Sequence, residues 1–304
     1  MKRIYAAYHK NPEEIEKSSS GGMFVALSDV VLGNNGKIIG GKYSYVTNRL
    51  EHIVCQTTNE RDACRGSKYI QSHISKDIYK TIEAELNNGT LLLYVGTPCQ
   101  IAAVKQYITI KKINDESLLT CDIICHGVGS PGIWKNFVKW KKGKLDYLTF
   151  KDKRKGWIKP RCIAKVGNKE ISLRGYSWLY FANAIMRPAC YQCDYANIDR
   201  VGDFTIGDFW KVKIKVPKMF NPRGTSFLML NTDKAEKFFA EVKNSLIYKE
   251  VTLDDVIQNN MKYPTSCPVF RKEVMNDFSH KSISFFFEKW ELKLLIGKMK
   301  KLFH

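Results

Sequence analysis

The sequence predicts an α/β protein. We expect a mixed, largely parallel sheet flanked by helices, with a loop-rich, cysteine-bearing segment and a helical C-terminus. Three observations predict it. Residues 91–95 and 118–124 are short apolar runs of the kind found in buried parallel strands. Each run ends at a cysteine turn and passes into helical patterning, the alternation that builds βα units. Residues 185–210 break that rhythm with prolines, glycines, aspartates and a Cys-x-x-Cys pair.

The elements follow in order. Residues 20–33 read as a helix, with Phe24, Leu27 and Val31 at helical spacing, serines to cap its start and Gly33 to stop it. Residues 37–46 read as a strand and turn, and 74–87 as a second helix. The apolar run 91–95 is a strand that ends at Gly96-Thr97-Pro98-Cys99, and residues 100–107 continue as helix. Residues 118–124 repeat the pattern, ending at Cys125-His126-Gly127, with a helix over 132–141 after Ser130-Pro131. Strands mixed with basic loops fill 145–182. Residues 226–231 form another strand and a helix starts near Ala235. The last 24 residues are aromatic and basic.

Composition bounds the function. The chain has 304 residues, 44% of them hydrophobic, enough for one large domain or two moderate ones. Met1-Lys2-Arg3-Ile4-Tyr5 leads straight into polar Asn11-Pro12-Glu13-Glu14, without a signal peptide. Nine cysteines, an odd number, then read as reduced, cytoplasmic thiols, which favours metal binding or buried core positions over disulfides. No apolar run approaches the roughly 18 residues of a spanning helix. The net charge is +19, and residues 135–170 hold 13 Lys or Arg, Lys142 among them, against Asp146, Asp152 and Glu170. That is either an anion-attracting face or a solvated one. No nucleic-acid-binding motif accompanies it, so nucleic acid is not the expected partner.

Four cysteines sit in short motifs: Cys99 and Cys125 at the two strand ends, and Cys190 and Cys193 in Cys190-Tyr191-Gln192-Cys193. In a parallel sheet both strand ends lie on one edge, where open α/β sheets bind ligands. Two thiolates from one tight turn and one from each of two loops complete the four-sulfur shell of a cubane iron–sulfur cluster or of a structural zinc. Cys121 lies four residues deeper in its strand than Cys125, roughly 13 Å away at about 3.3 Å per residue, too far to share the cluster. His126 reads as a ligand, a proton donor or a structural hydrogen-bond donor. Cys55, Cys64, Cys162 and Cys267 read as ordinary buried thiols, with Cys64 the exception to watch because it adjoins Arg65-Gly66-Ser67-Lys68-Tyr69.

Two loops suit a phosphorylated cofactor. Ser18-Ser19-Ser20-Gly21-Gly22 opens a helix whose backbone N–H groups can approach a phosphate, though a capped helix start is the plainer reading. Arg65-Gly66-Ser67-Lys68-Tyr69-Ile70-Gln71-Ser72 combines a cation, hydroxyls and an aromatic, as a flavin loop or a surface loop would. Arg200-Val201-Gly202-Asp203-Phe204-Thr205-Ile206-Gly207-Asp208-Phe209-Trp210 either orders the Cys-x-x-Cys loop and lines a pocket or is a strand with buried aromatics.

In order along residues 18–232, these six motifs resemble the beta subunit of coenzyme F420 hydrogenases and dehydrogenases, including bacterial relatives among polysaccharide-biosynthesis proteins. The resemblance implies an oxidoreductase with FAD and a 4Fe-4S cluster. Electrons would pass between cluster, FAD and an organic substrate or deazaflavin-like hydride carrier. It implies an N-terminal flavin module over 1–88, a cysteine-bearing module over 89–235 and a helical extension over 236–304. FAD would contact Ser20, Gly21, Gly22, Gly66, Ser67, Lys68, Tyr69, Gln71, Ser72 and Thr97. The cluster would take Cys99, Cys125, Cys190 and Cys193. No catalytic residue is assigned. The ferredoxin-like N-terminal module of many bacterial relatives is missing, so at most one cluster is expected, with a ferredoxin-like or hydride-donating partner protein. Two other readings stand beside it: a zinc-stabilised, non-enzymatic interaction module using the same four cysteines, and a thiol-redox protein using Cys190 and Cys193. Finally, residues 283–303 draw as a helix with Ile283, Phe286, Phe287, Trp290 and Leu294 on one side and Lys289, Lys293, Lys298, Lys300 and Lys301 giving positive charge. It suits docking on the protein's own core or, second, peripheral contact with an anionic membrane. Leu292, Leu295 and Leu302 widen its apolar face and favour docking.

Overall fold

The structure, a computed structural model, describes residues 3–141 and 143–300. Lys142, Lys301 and Leu302 lie outside the described residues, as do the side chains of Lys298 and Lys300. The strands are β1 (Arg3–His9), β2 (Lys37–Ser44), β3 (Arg49–Cys55), β4 (Ser72–His73), β5 (Leu92–Gly96), β6 (Leu118–Ile123), β7 (Tyr147–Asp152), β8 (Arg161–Val166), β9 (Lys169–Ser172), β10 (Phe204–Asp208), β11 (Ser226–Leu230) and β12 (Leu246–Glu250). Nine of them form one sheet in the order β12-β1-β11-β10-β6-β5-β2-β3-β4, and β7-β8-β9 form a small antiparallel sheet.

The large sheet is mixed, as expected, but its parallel part is concentrated in the middle. There β10, β6, β5 and β2 run parallel, whereas β11, β1 and β12 on one side and β3 on the other are antiparallel to their inner neighbours. The middle strands are the apolar runs of the sequence, buried on both faces as parallel strands are. Register aligns their ends: Gly96 of β5 pairs with Asp122 of β6, and Ile206 of β10 with Ile123. The chain segments that carry Cys99 and Cys125, and the one that follows Asp208, therefore leave the sheet side by side. β1, which periodicity alone does not mark, lies between β11 and β12.

Side chains alternate between two cores. Leu93 packs with Leu27, Val31, Phe239 and Val242 from helices Met23–Gly33 and Asp233–Val242. Its neighbours Leu92 and Tyr94 pack instead with Ile82, Leu86, Ile101 and Val104 from helices Lys76–Asn87 and Pro98–Lys111. Cys121 is fully buried in the first of these cores. A separate aromatic core joins the small sheet to helices Pro131–Trp140, Arg174–Phe181, Arg271–His280 and Ile283–Lys300.

One local expectation is corrected and one is met. No serine caps the helix at 23: its N-cap is Gly22, with φ at 88°, and no side chain makes a capping bond. Glycine takes that left-handed conformation without the Cβ clash that a serine there would suffer. The C-terminal helix docks. Phe286, Phe287 and Trp290 are buried, and Trp290 Nε1 donates to Asp277 at 2.9 Å. Lys289 and Lys293 are not free positive charge, because they pair with Asp277 and Glu273. Among the described residues no helix is long and apolar enough to cross a membrane.

Candidate functional site

A cavity of about 410 Å³ opens at the carboxyl edge of the central strands. The two phosphate-suited loops build one wall and are fastened together. Ser19 Oγ accepts from the backbone N–H of Ser67 at 2.6 Å and lies 2.9 Å from its hydroxyl. Arg65 donates to the carbonyl of Glu14 at 2.8 Å and pairs with its carboxylate at 2.6 Å. Of the sequence-assigned flavin contacts, Ser20, Gly22, Gly66, Ser67, Lys68, Tyr69, Ser72 and Thr97 line the cavity. Gly21 and Gln71 are not among its lining residues. Gly21 faces inward instead: a Cβ there would sit 2.5 Å from the Ala7 carbonyl oxygen and 2.8 Å from Ser226 N. Its glycine is required by strand packing.

Lys68 behaves differently from a free cation. Its ammonium donates to the carbonyls of Cys64, Arg65 and Gly66 at 2.9, 2.8 and 3.1 Å, closing its own loop, and burial pushes its pKa down to about 8. It offers the cavity positive field more than a spare hydrogen bond. Tyr69 stacks on Tyr180 with ring centroids 4.8 Å apart, giving an aromatic wall.

His52 of β3 is not anticipated by the sequence, because one histidine in an alternating strand carries no motif. It is 7% exposed, lines the cavity and stacks on Tyr94 at 5.4 Å. Both ring nitrogens come near the backbone of Val95 and His73 without meeting hydrogen-bond geometry, and the Tyr94 hydroxyl is unpartnered too. Burial lowers the His52 pKa to about 4, so the ring is neutral at pH 7. Buried polar atoms without partners cost free energy unless a ligand meets them.

The glycine–aspartate segment is a strand with buried Phe204 and Phe209 that also lines the cavity. Asp203 is buried and accepts from Thr120 N at 2.8 Å and from its hydroxyl at 2.6 Å, locking β10 to β6. Gly207, Asp208 and Trp210 line the cavity. Lys151, from the basic run, forms an ion pair with Asp208, and Trp157 donates to Asp208 at 3.1 Å and stacks on Trp210. Lys153 is likewise turned inward, donating to Arg223 O at 2.8 Å, and Arg154 and Arg161 pair with Asp152. Part of the positive run is therefore structural.

The four motif cysteines converge beside this cavity. Cys99 is exposed in the first turn of helix Pro98–Lys111, which a Thr97–Gln100 capping box starts. Cys125 lines the cavity, and Gly127 N lies 3.4 Å from its sulfur. Cys190 lies in the short helix Pro188–Gln192 and Cys193 ends it. That turn is clipped onto the Cys125 loop by Arg187 N to Val128 O at 3.0 Å and a bridge between Gly129 and Met186. Gly127, at φ 105°, permits the approach: a Cβ there would meet Cys190 Cβ at 3.2 Å. Burial, with smaller contributions from Cys99, Cys190 and Cys193, pushes the Cys125 thiol up to about 12, so all three stand within electrostatic reach of it. His126 lines the cavity, and burial lowers its pKa.

Among the described residues no three His, Cys, Asp or Glu side chains stand close enough to hold a single metal ion. One zinc would need its sulfurs about 3.8 Å apart, given a Zn–S distance of about 2.3 Å. A cubane binds each thiolate through a different iron and spaces them more widely. Four thiols brought near one another fit the cubane in donor type and number. An uncapped helix start facing the cavity, with Ser20 and Gly22 beside it, fits a phosphate.

Residues 89–256 match the family model for the C-terminal part of the coenzyme F420 hydrogenase/dehydrogenase beta subunit. The chain belongs to this family. The F420-reducing NiFe hydrogenase complex from Methanosarcina barkeri contains a chain of similar fold, with TM-score 0.55 and 16% identity, over 81% of this chain and 81% of that one. No curated protein matches. Family membership makes this chain a redox-type beta-subunit relative, and the neighbour's assembly is multi-subunit.

Proposed function

We propose that the chain is a flavin- and iron–sulfur-dependent oxidoreductase. One observation carries the reading: Cys125 lines the cavity that the joined Ser-Gly-Gly and Arg-Gly-Ser-Lys-Tyr loops enclose, and Cys99, Cys190 and Cys193 lie within electrostatic reach of it. Cys99, Cys125, Cys190 and Cys193 would hold a 4Fe-4S cluster. Ser20, Gly22, Gly66, Ser67, Lys68, Tyr69, Ser72 and Thr97 would hold FAD. Bound there, FAD supplies hydride exchange with an organic substrate or deazaflavin-like carrier and single-electron exchange with the cluster. The chain's own part is to orient and enclose. The helix start at Gly22 would receive phosphate, Lys68 sets a positive field, and Tyr69 stacked on buried Tyr180 forms an aromatic wall. Neutral His52 presents ring nitrogens to whatever polar edge enters.

In this reading residues 1–88 supply most of the flavin wall and 89–235 the cysteines, although the large sheet interleaves strands from both. Exposed Cys99 marks the side from which a redox partner protein would approach. The motif resemblance supports an organic substrate in polysaccharide biosynthesis. Anaerobic purification followed by iron, sulfide, zinc and flavin analysis tests the proposal. Iron and sulfide at about four each per chain with one FAD are expected. Stoichiometric zinc without iron or flavin would overturn it.

A further inference from the structure

Cys55 and Cys64 carry no motif, and they take no part in the proposed cluster or flavin contacts. Yet the fold brings them together. Their sulfurs are 3.7 Å apart, and both are free thiols. Cys55 ends β3 and is fully buried, whereas Cys64 is partly exposed and lines the cavity. The chain between them is a rigid return. Helix Thr58–Asp62 starts with a Thr57–Glu60 capping box, and buried Arg61 is held by Asp29 at 2.6 Å and Asp62 at 2.7 Å. Cys64 N then donates to Arg61 O at 2.9 Å. Gly40 of β2 leaves room for this return, since a Cβ there would stand 3.2 Å from Cys64 Cβ. A disulfide bond is about 2.05 Å long, so the sulfurs need to close by roughly 1.7 Å.

We propose that Cys55 and Cys64 are a redox-active dithiol on the cavity wall, able to exchange with a low-molecular-weight disulfide. Cys64 is the attacking group. It is the accessible partner, the Cys55 thiol and then the Lys68 and Lys42 charges lower its pKa, and Cys55 is raised in turn. In the first step the Cys64 thiolate attacks one sulfur of the incoming disulfide. A mixed disulfide forms, and one thiolate leaves and takes up a proton. Cys55 then gives its proton to solvent and attacks the Cys64 sulfur, and the second thiol departs. The two protein thiols are oxidised by two electrons in total, and the small disulfide is reduced to two thiols. Cys55 waits until the second step, because its thiol hydrogen-bonds the Cys64 sulfur and burial keeps its proton on, with the Cys64 charge adding to both.

The inference depends on neither cofactor. Full-length protein as isolated, reduced and then equilibrated anaerobically with mixtures of oxidised and reduced glutathione, tests it. Acid quenching, alkylation of the denatured protein and then trypsin separate the two cysteines, because Arg61 and Arg65 are cleavage sites. The expected product is peptide 50–61 linked to peptide 62–65, with both alkylated forms lost as the oxidised fraction rises. Cys55→Ser should trap a glutathione adduct on Cys64, and Cys64→Ser should leave Cys55 without adduct. The wild-type map alone decides. If exposed Cys267 carries glutathione while both peptides stay unlinked and alkylated after denaturation, the proposal is wrong.

Discussion

Replacing Arg200 with Met should cost about 3–5 kcal/mol of stability, because it breaks a buried ion pair from one side. Arg200 and Asp122 are 1% and 0% exposed in their side chains, with Nη2 2.5 Å from Oδ1 and Nε at 3.1 Å. Arg200 also donates to the carbonyls of Tyr195 and Asn197, each at 3.2 Å. Removing the guanidinium leaves the Asp122 carboxylate in the sheet with the N–H of Gly202, at 2.8 Å, as its remaining side-chain partner. Adding Asp122→Asn should recover at least ~1–2 kcal/mol, since the charge goes and an amide oxygen can still accept from Gly202. Urea unfolding at neutral pH of the two single variants and the double measures both quantities. The site gives a second readout: this pair ties the segment after Cys193 to the strand that leads into Cys125, so R200M should also lower iron retained after anaerobic reconstitution. A single-variant cost below ~1 kcal/mol, or a double variant whose cost is the plain sum of the singles, would refute the argument that buried charge compensation fixes this segment.

Serine at any one of Cys99, Cys125, Cys190 or Cys193 should lose iron and visible absorbance, while Cys121→Ala, a change inside the core, should keep both; retained iron in all four serine variants rules out the ligand set. Gly66→Asp and Gly66→Asn compare a charge with a neutral isostere at a left-handed position with nothing within 4 Å of a Cβ. A like charge about 6 Å from a phosphate costs about 3 kcal/mol at an effective dielectric near 20, so FAD titration should give roughly hundredfold weaker binding for Asp than for Asn, and equal affinities would misplace the phosphates. Burial holds the folded His52 pKa at about 4, below its ordinary value of 6.5, so the unfolded chain takes up that proton first as pH falls. The stability difference between wild type and His52→Phe should therefore shift against wild type between pH 6.5 and about 4, by up to ~3 kcal/mol, and a pH-independent difference in urea midpoints counts against it. Trp290→Ala should cost about 3–5 kcal/mol, and the full-length chain should stay off anionic vesicles in flotation, because its buried aromatic face is already docked.

Much of the middle of the fold is legible in the sequence because buried parallel strands announce themselves. The runs at 92–96 and 118–123, each ending in a cysteine turn, lead directly to adjacent strands whose ends align. What local patterning misses is set by long-range pairing. β1 reads as a plain N-terminal stretch until β11 and β12 take it between them. The glycine doublet reads as one phosphate-approach unit, but Gly21 answers to Ala7 and Ser226 across the sheet and Gly22 alone borders the cavity. His52 is invisible because its environment comes from Tyr94 on a strand two places away, and Cys55 and Cys64 because a capped turn, not a motif, brings them together.

The position of the cavity follows from the sheet. β2, β5, β6 and β10 are parallel, so four chains leave the same edge, and each must turn there before its helix or loop begins. Open α/β sheets bind ligands at that edge. β11 is antiparallel and starts there, which brings Ser226 beside the Ser-Gly-Gly turn: Ser20 Oγ donates to Thr225 O at 2.9 Å, and Gly21 N donates to Ser226 Oγ at 2.9 Å. The first phosphate-suited loop is thus fixed by the last part of the sheet, and the second by Ser19 and Glu14. Such an arrangement forms only when the sheet is complete. Cofactor binding should consequently report global folding, with FAD and iron lost together at the urea midpoint of the whole chain; loss of one well before the other would mean that the two walls of the site fold independently.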